Sequence, residues 1–96
     1  MQRFLVERRL RDVHRRLVRA REELAVLDEQ WAVVSAEAED LRVRSMVSET
    51  PLAAHEYAEA QRHADAMTRA RDAMISTVSD LARRQDELLA DVGPPT

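Results

Sequence analysis

The sequence predicts an all-α protein, an antiparallel two-helix coiled-coil hairpin that dimerises into a four-helix bundle. Apolar residues repeat at alternating steps of three and four residues along both halves of the chain. The two repeats stay in register when the chain is folded at its middle. The composition agrees, because Ala, Leu, Val, Glu, Asp and Arg dominate the 96 residues, which include only one Gly.

The first helix is predicted over residues 2–46. A 3.5-residue apolar repeat, typical of a coiled coil, runs through it without a gap. The repeat comprises Val6, Leu10, Val13, Leu17, Ala20, Leu24, Leu27, Trp31, Val34, Ala38 and Leu41.

The turn is predicted at residues 47–50, the second helix at 51–91 and a tail at 92–96, all within one domain. Thr50 can cap the helix that Pro51 begins, and Gly93 with two following prolines can end it. The second repeat is Tyr57, Ala60, Ala64, Met67, Arg71, Met74, Val78, Leu81, Gln85, Leu88 and Val92.

The register of the two repeats predicts which residues meet. Leu17 pairs with Leu81, and Trp31 pairs with Met67, and the residue numbers of each pair add to 98. An antiparallel helix pair requires such a constant sum. Arg71 falls opposite Leu27, where it either fixes the register through an acid of the first helix or binds an anion.

Apolar residues beside the repeats predict self-association. A two-helix hairpin buries a thin seam, and a wider apolar face favours three or more helices in contact. We expect a homodimer, with a partner protein on the same face as the alternative. The candidate self-association residues are Ile75, Ala82, Leu89, Val26 and Val33.

Charge is distributed unevenly along the first helix. Residues 1–21 carry eight Arg and two acids, and residues 22–40 carry seven acids and no base. The basic part is a solvated surface with internal ion pairs, a partner of the acidic stretch of a neighbouring molecule, or a nucleic-acid phosphate site. The candidate phosphate contacts are Arg8, Arg9, Arg15, Arg16 and Arg19.

Three apolar residues bracket the turn: Met46, Val47 and Leu52. They lie at or beyond the last seam layer of Leu41 and Tyr57. Two alternatives follow. They either fold back over that layer as a plug or contact a partner protein.

The sequence predicts no enzyme, cofactor or metal site. It has no Cys, no Gly-rich phosphate loop and no recognisable nucleophile motif. His55, Glu59 and His63 share one helix face, but a buried setting for a metal is not evident.

No apolar run reaches the length of a membrane span, so we expect a cytoplasmic protein. The predicted function is a non-catalytic structural or protein–protein interaction module, an adaptor or regulator of a larger complex. The alternative is a nucleic-acid-associated protein.

Four segments carry a family resemblance. They are residues 42–53 (RVRSMVSETPLA), 56–57 (EY), 62–67 (RHADAM) and 83–89 (RRQDELL). The chain resembles a group of short, uncharacterised, Arg-rich helical-hairpin proteins of actinobacteria. The resemblance implies an actinobacterial, cytoplasmic origin and brings no activity.

Overall fold

The computed structural model describes residues 3–93. Over this range the chain is all-helical, with two helices and no strand: α1 spans Arg3–Ser48 and α2 spans Pro51–Val92. The predicted all-α class is confirmed, and the arrangement is consistent with a helical hairpin. Both helices end slightly later than predicted, at Ser48 and Val92. Most of the predicted tail lies outside the described residues.

Two residues, Glu49 and Thr50, connect the helices. Glu49 adopts the left-handed conformation, with φ of 52°, and donates its N–H to the Ser45 carbonyl at 3.1 Å. This geometry is a common way to end a helix, although glycine usually supplies it. The Thr50 side chain accepts the Ala53 N–H at 3.1 Å, which caps the start of α2. The Thr50 cap therefore explains where α2 begins, whereas α1 ends at a left-handed residue that is not glycine.

The described chain divides into two compact units. The first unit contains residues 3–24 and 74–93, and the second unit contains residues 25–73. Each helix contributes to both units, so each unit is a pair of helical segments.

The first unit holds the main hydrophobic core. Leu17 is fully buried, and Leu88 is 1% exposed. The cluster combines the start of α1 with the end of α2, as an antiparallel pairing requires. Leu17 and Leu81, which the register pairs, are both buried members of it. Its buried members are Val6, Val13, Leu17, Ala20, Leu81 and Leu88.

The second unit buries much less side-chain volume. Its buried hydrophobic residues are Ala38 and Ala64, whose side chains are single methyl groups. Trp31 is half-buried and donates its indole N–H to the Thr68 hydroxyl at 2.9 Å. The register predicts Met67 as the neighbour of Trp31. The hydrogen bond goes instead to Thr68, the residue that follows Met67. Partly buried side chains and polar contacts therefore hold the two helical segments of this unit together.

Candidate protein interaction surface

An apolar stripe runs along α2 in the first unit. Ile75, Ala82 and Leu89 follow one another at intervals of seven residues, so they share one helix face. Ile75 is 41% exposed and Leu89 is 50% exposed. Ala82 is half-buried and packs against the core cluster, so it belongs to the unit's own packing as well. The stripe remains incompletely covered at its two larger side chains.

A groove of about 490 Å³ lies at the Leu89 end of this stripe. Leu10 and Leu89 are its apolar lining, and Arg11 and Arg15 supply its charge. Across it, His14 Nδ1 and Gln85 Oε1 lie 2.9 Å apart, within hydrogen-bond distance. This contact was missed from the sequence, because the rule that paired residue numbers add to 98 pairs Gln85 with Val13. The sequence feature that could have indicated this contact is that polar His14 directly follows Val13.

The five candidate phosphate contacts all lie exposed on α1 in the first unit: Arg8, Arg9, Arg15, Arg16 and Arg19. Arg15 forms an ion pair with Asp12, three residues earlier in the helix. Within residues 3–93, no ion pair engages Arg8, Arg16 or Arg19. The surface therefore offers several guanidinium groups to an anionic partner.

The second unit carries its own exposed apolar side chains on α1. Val26 is 53% exposed and Val33 is 69% exposed, and they are seven residues apart. A β-branched side chain with this exposure is not part of the unit's packing. These two predicted self-association residues are therefore accessible.

Arg71 contacts an acid of α1, as one of the two sequence-based alternatives predicts. Its Nε donates to Asp28 Oδ1 at 2.5 Å, and its guanidinium carbon lies 4.9 Å from the centre of the Trp31 ring. The Arg71 side chain is one-third exposed. This arrangement explains a charged residue in the apolar repeat, because the stem packs while the head is paired.

The three apolar residues at the turn are exposed. Met46 is 63% exposed, Val47 is 79% exposed and Leu52 is 66% exposed. They are not folded back as a plug. The reason is local: α1 continues as a helix through Ser48, which holds Met46 and Val47 on its outer surface.

An ion pair lies on α1 just before this turn. Arg42 donates to both carboxylate oxygens of Glu39, at 2.7 and 3.0 Å, and its Nη1 lies 3.2 Å from the Met46 sulfur. The hydrogen bonds from Arg42 lower the pKa of Glu39, because they favour its ionised form.

His55 and Glu59 are 3.3 Å apart on the exposed surface of α2. No group of three metal-ligating side chains occurs among residues 3–93, so the spacing of His55, Glu59 and His63 does not produce a metal cluster. In the same range, no helix is both long enough and apolar enough to cross a membrane.

Comparisons with protein-family models, curated proteins and solved structures found no match to this chain. The resemblance to short actinobacterial helical proteins therefore stays a prediction.

Proposed function

We propose that this chain is a non-catalytic protein interaction module that self-associates. One observation supports this best: among the described residues, eleven large hydrophobic side chains are exposed, whereas eight hydrophobic residues are buried and three of those are alanine. Isolated exposed hydrophobic residues are ordinary on protein surfaces. Here two sets follow the seven-residue spacing of a helix face that packs against another helix: Val26 with Val33, and Ile75 with Leu89 two such intervals apart.

The partner we propose is a second copy, which gives a four-helix bundle. Full burial of a Val, Leu or Ile side chain contributes roughly 1.5–3 kcal/mol, so covering the exposed half of Ile75 or Leu89 contributes about 1 kcal/mol. Association costs about 4–15 kcal/mol in lost translational and rotational freedom. Ile75 and Leu89 together contribute about 2 kcal/mol from each copy, which does not exceed that cost. A stable dimer therefore needs further apolar area, which the exposed valines of the second unit can supply.

Sedimentation equilibrium at tens of micromolar tests self-association, with the chain expected above its monomer mass of 11.0 kDa. Ile75→Asp should shift the chain toward monomer, because a charge on dry apolar surface is costly. Ser76→Asp is the matched control, since it adds the same charge at an exposed residue on a neighbouring face. A monomeric wild-type chain at these concentrations overturns the proposal.

We further propose that the module acts as an adaptor or regulator in the cytoplasm, with a partner protein at the turn. The support is the exposed apolar group of Met46, Val47 and Leu52. Met46→Ser with Val47→Ser should leave the melting temperature nearly unchanged, because both side chains are already exposed. The same variant should fail to capture the partner in a pull-down from the native organism. Equal capture by both forms counts against a partner at the turn.

Nucleic-acid binding is the second candidate function, because Arg8, Arg16 and Arg19 are exposed on α1 of the first unit and form no ion pair within residues 3–93. Fluorescence anisotropy with a DNA or RNA duplex at low salt tests it. Binding should weaken steeply as salt is raised, and Arg16→Gln with Arg19→Gln should reduce the slope of log affinity against log salt by about 0.9 per lost phosphate contact. Absence of binding at about 50 mM salt removes this candidate.

A further inference from the structure

Acidic residues border the exposed valines of the second unit. Residues three or four positions apart are neighbours on a helix surface. By that spacing, Glu22, Glu23 and Glu29 flank Val26, and Glu29 and Glu37 flank Val33. The two valines therefore form an apolar stripe with carboxylates on both sides. We call residues 22–40 the acidic segment.

The carboxylates beside the valines have no ion-pair partner among the described residues. In the acidic segment, Asp28 pairs with Arg71, and Glu39 pairs with Arg42. No ion pair within residues 3–93 engages Glu22, Glu23, Glu29 or Glu37. Four carboxylates around an exposed apolar stripe therefore form no ion pair within residues 3–93.

The groove of the first unit has the complementary character. Its apolar lining, Leu10 and Leu89, continues into the α2 stripe, whose members also recur every seven residues. Its charged residues, Arg11 and Arg15, are basic and exposed. Arg11 has no ion pair among residues 3–93, and Arg15 pairs only with Asp12.

We propose that the acidic segment of one copy docks in the groove of the first unit of a second copy. Val26 and Val33 then pack against the α2 stripe, and the flanking glutamates lie beside Arg11 and Arg15. This inference rests on the self-association proposed above and names the two surfaces that meet. Opposite charges at the edges of an apolar contact select the correct partner surface and orientation.

A contact of the α2 stripe with its own copy is the competing arrangement. That contact does not itself involve Val26 or Val33, and it uses none of the glutamates that lack an ion pair within residues 3–93. Docking of the acidic segment covers both apolar stripes and brings unlike charges together. Apolar area and charge therefore favour the same arrangement.

A charge-swap experiment separates the two arrangements. The first variant is Arg11→Glu with Arg15→Glu, and the second is Glu22→Arg with Glu29→Arg. Each variant alone places like charges across the contact, so its self-association should weaken at least tenfold. An equimolar mixture should associate again, because the reversed groove of one variant matches the reversed segment of the other. Association of the wild-type chain should also weaken as salt is raised.

Circular dichroism verifies that each variant is helical before its mass is measured. If the glutamate variant associates like wild type while Ile75→Asp is monomeric, the inference is wrong and the α2 stripe meets its own copy. If the mixture of folded variants remains monomeric, the inference is likewise wrong. A wild-type chain that is itself monomeric instead overturns the proposed self-association.

Discussion

Trp31 and Thr68 are joined by a hydrogen bond between α1 and α2 in the second unit, with the indole N–H 2.9 Å from the hydroxyl oxygen. The hydroxyl donates in turn to the Ala64 carbonyl at 2.9 Å. Ala64 is one of the two buried hydrophobic residues of this unit, so the bond fixes Trp31 beside it. In a unit with so little buried volume, this bond and the ion pair of Arg71 with Asp28 connect the two helical segments.

Removing the Thr68 hydroxyl should destabilise the chain. Thr68→Ala leaves the half-buried indole N–H without its acceptor, at a cost of about 1 kcal/mol. In a chain of this size that loss lowers the melting temperature by about 4–8 °C. Thr68→Ser keeps the hydroxyl and is the control. The emission of Trp31, the only tryptophan, should shift to the red in the alanine variant alone. Identical behaviour of the two variants would contradict this role.

Replacing Arg71 with Leu should change stability by no more than about 1 kcal/mol. Its ion pair with Asp28 is partly exposed, and such pairs contribute little. The cation–π contact of its guanidinium group with the Trp31 ring contributes about 0.5–1 kcal/mol to stability. The packing of a leucine against the same ring can replace that contribution. Urea unfolding measures the change, and Asp28→Ala isolates the ion pair. A loss of several kcal/mol on Arg71→Leu would instead indicate a required ionic network or a bound anion.

Glycine at position 49 should stabilise the chain. Glu49 has a φ of 52°, a conformation that costs a residue with a side chain about 1–2 kcal/mol. Glycine avoids that cost but loses more backbone entropy on folding, so the net gain from Glu49→Gly is about 0.5–1 kcal/mol. Thermal unfolding should show a rise of a few degrees. Glu49→Ala keeps the Cβ atom and should show no such rise, and equal gains from both variants would exclude backbone strain as the cause.

The ion pair of Glu39 with Arg42 should appear in a pH titration. Because Arg42 lowers the pKa of Glu39 in the folded chain, the small stability that the pair contributes is present above the unfolded pKa of Glu39. It is lost as the pH falls through the folded pKa. Carboxyl-detected NMR should place the Glu39 midpoint below that of an ordinary exposed glutamate, and Arg42→Gln should raise it. An unchanged midpoint in Arg42→Gln would show that Arg42 is not the cause.

The two-helix fold could be predicted because two independent patterns agree. The apolar repeats define one face on each helix, and Thr50-Pro51 defines where the second helix begins. The end of α1 could not be predicted, because no glycine marks it. Glu49 adopts the left-handed conformation that sequence rules assign to glycine, and α1 therefore continues through Val47 and Ser48.

Two polar contacts between the helices involve the residue next to the one that the register pairs. Trp31 bonds to Thr68 rather than facing only Met67, and Gln85 meets His14 beside Val13. A repeat of apolar residues gives the position of each Cα along the seam. It does not give the sideways reach of a long polar side chain, which finds a partner on the flank of the opposite helix.

The candidate surfaces could be named from the sequence only as apolar residues beside the seam. Ala82 shows that periodicity alone does not predict exposure, because it shares the periodicity of Ile75 and Leu89 but is half-buried within its own unit. A methyl group fits under the neighbouring side chains, whereas the larger side chains extend past them. Periodicity assigns residues to a face, and side-chain size decides how much of each remains exposed.

The uneven core has a consequence for the kinetics of folding. Contacts in the second unit close chain loops of 37 and 43 residues, whereas the contact of His14 with Gln85 in the first unit closes one of 71 residues. The entropy cost of closing a loop grows slowly, by about 0.6 kcal/mol per doubling. The unit whose contacts cost least to close therefore buries mainly alanine. The leucine-rich cluster forms only when the longer loop of the first unit closes.

We therefore expect the second unit to pair first and the cluster around Leu17 to form after the rate-limiting step. Stabilisation gained after that step slows unfolding without speeding folding. Leu17→Ala should then accelerate unfolding in a stopped-flow experiment and leave the folding rate nearly unchanged. In this chain, the residues nearest the turn set how fast the helices find each other, and the residues nearest the two ends set how long they stay together.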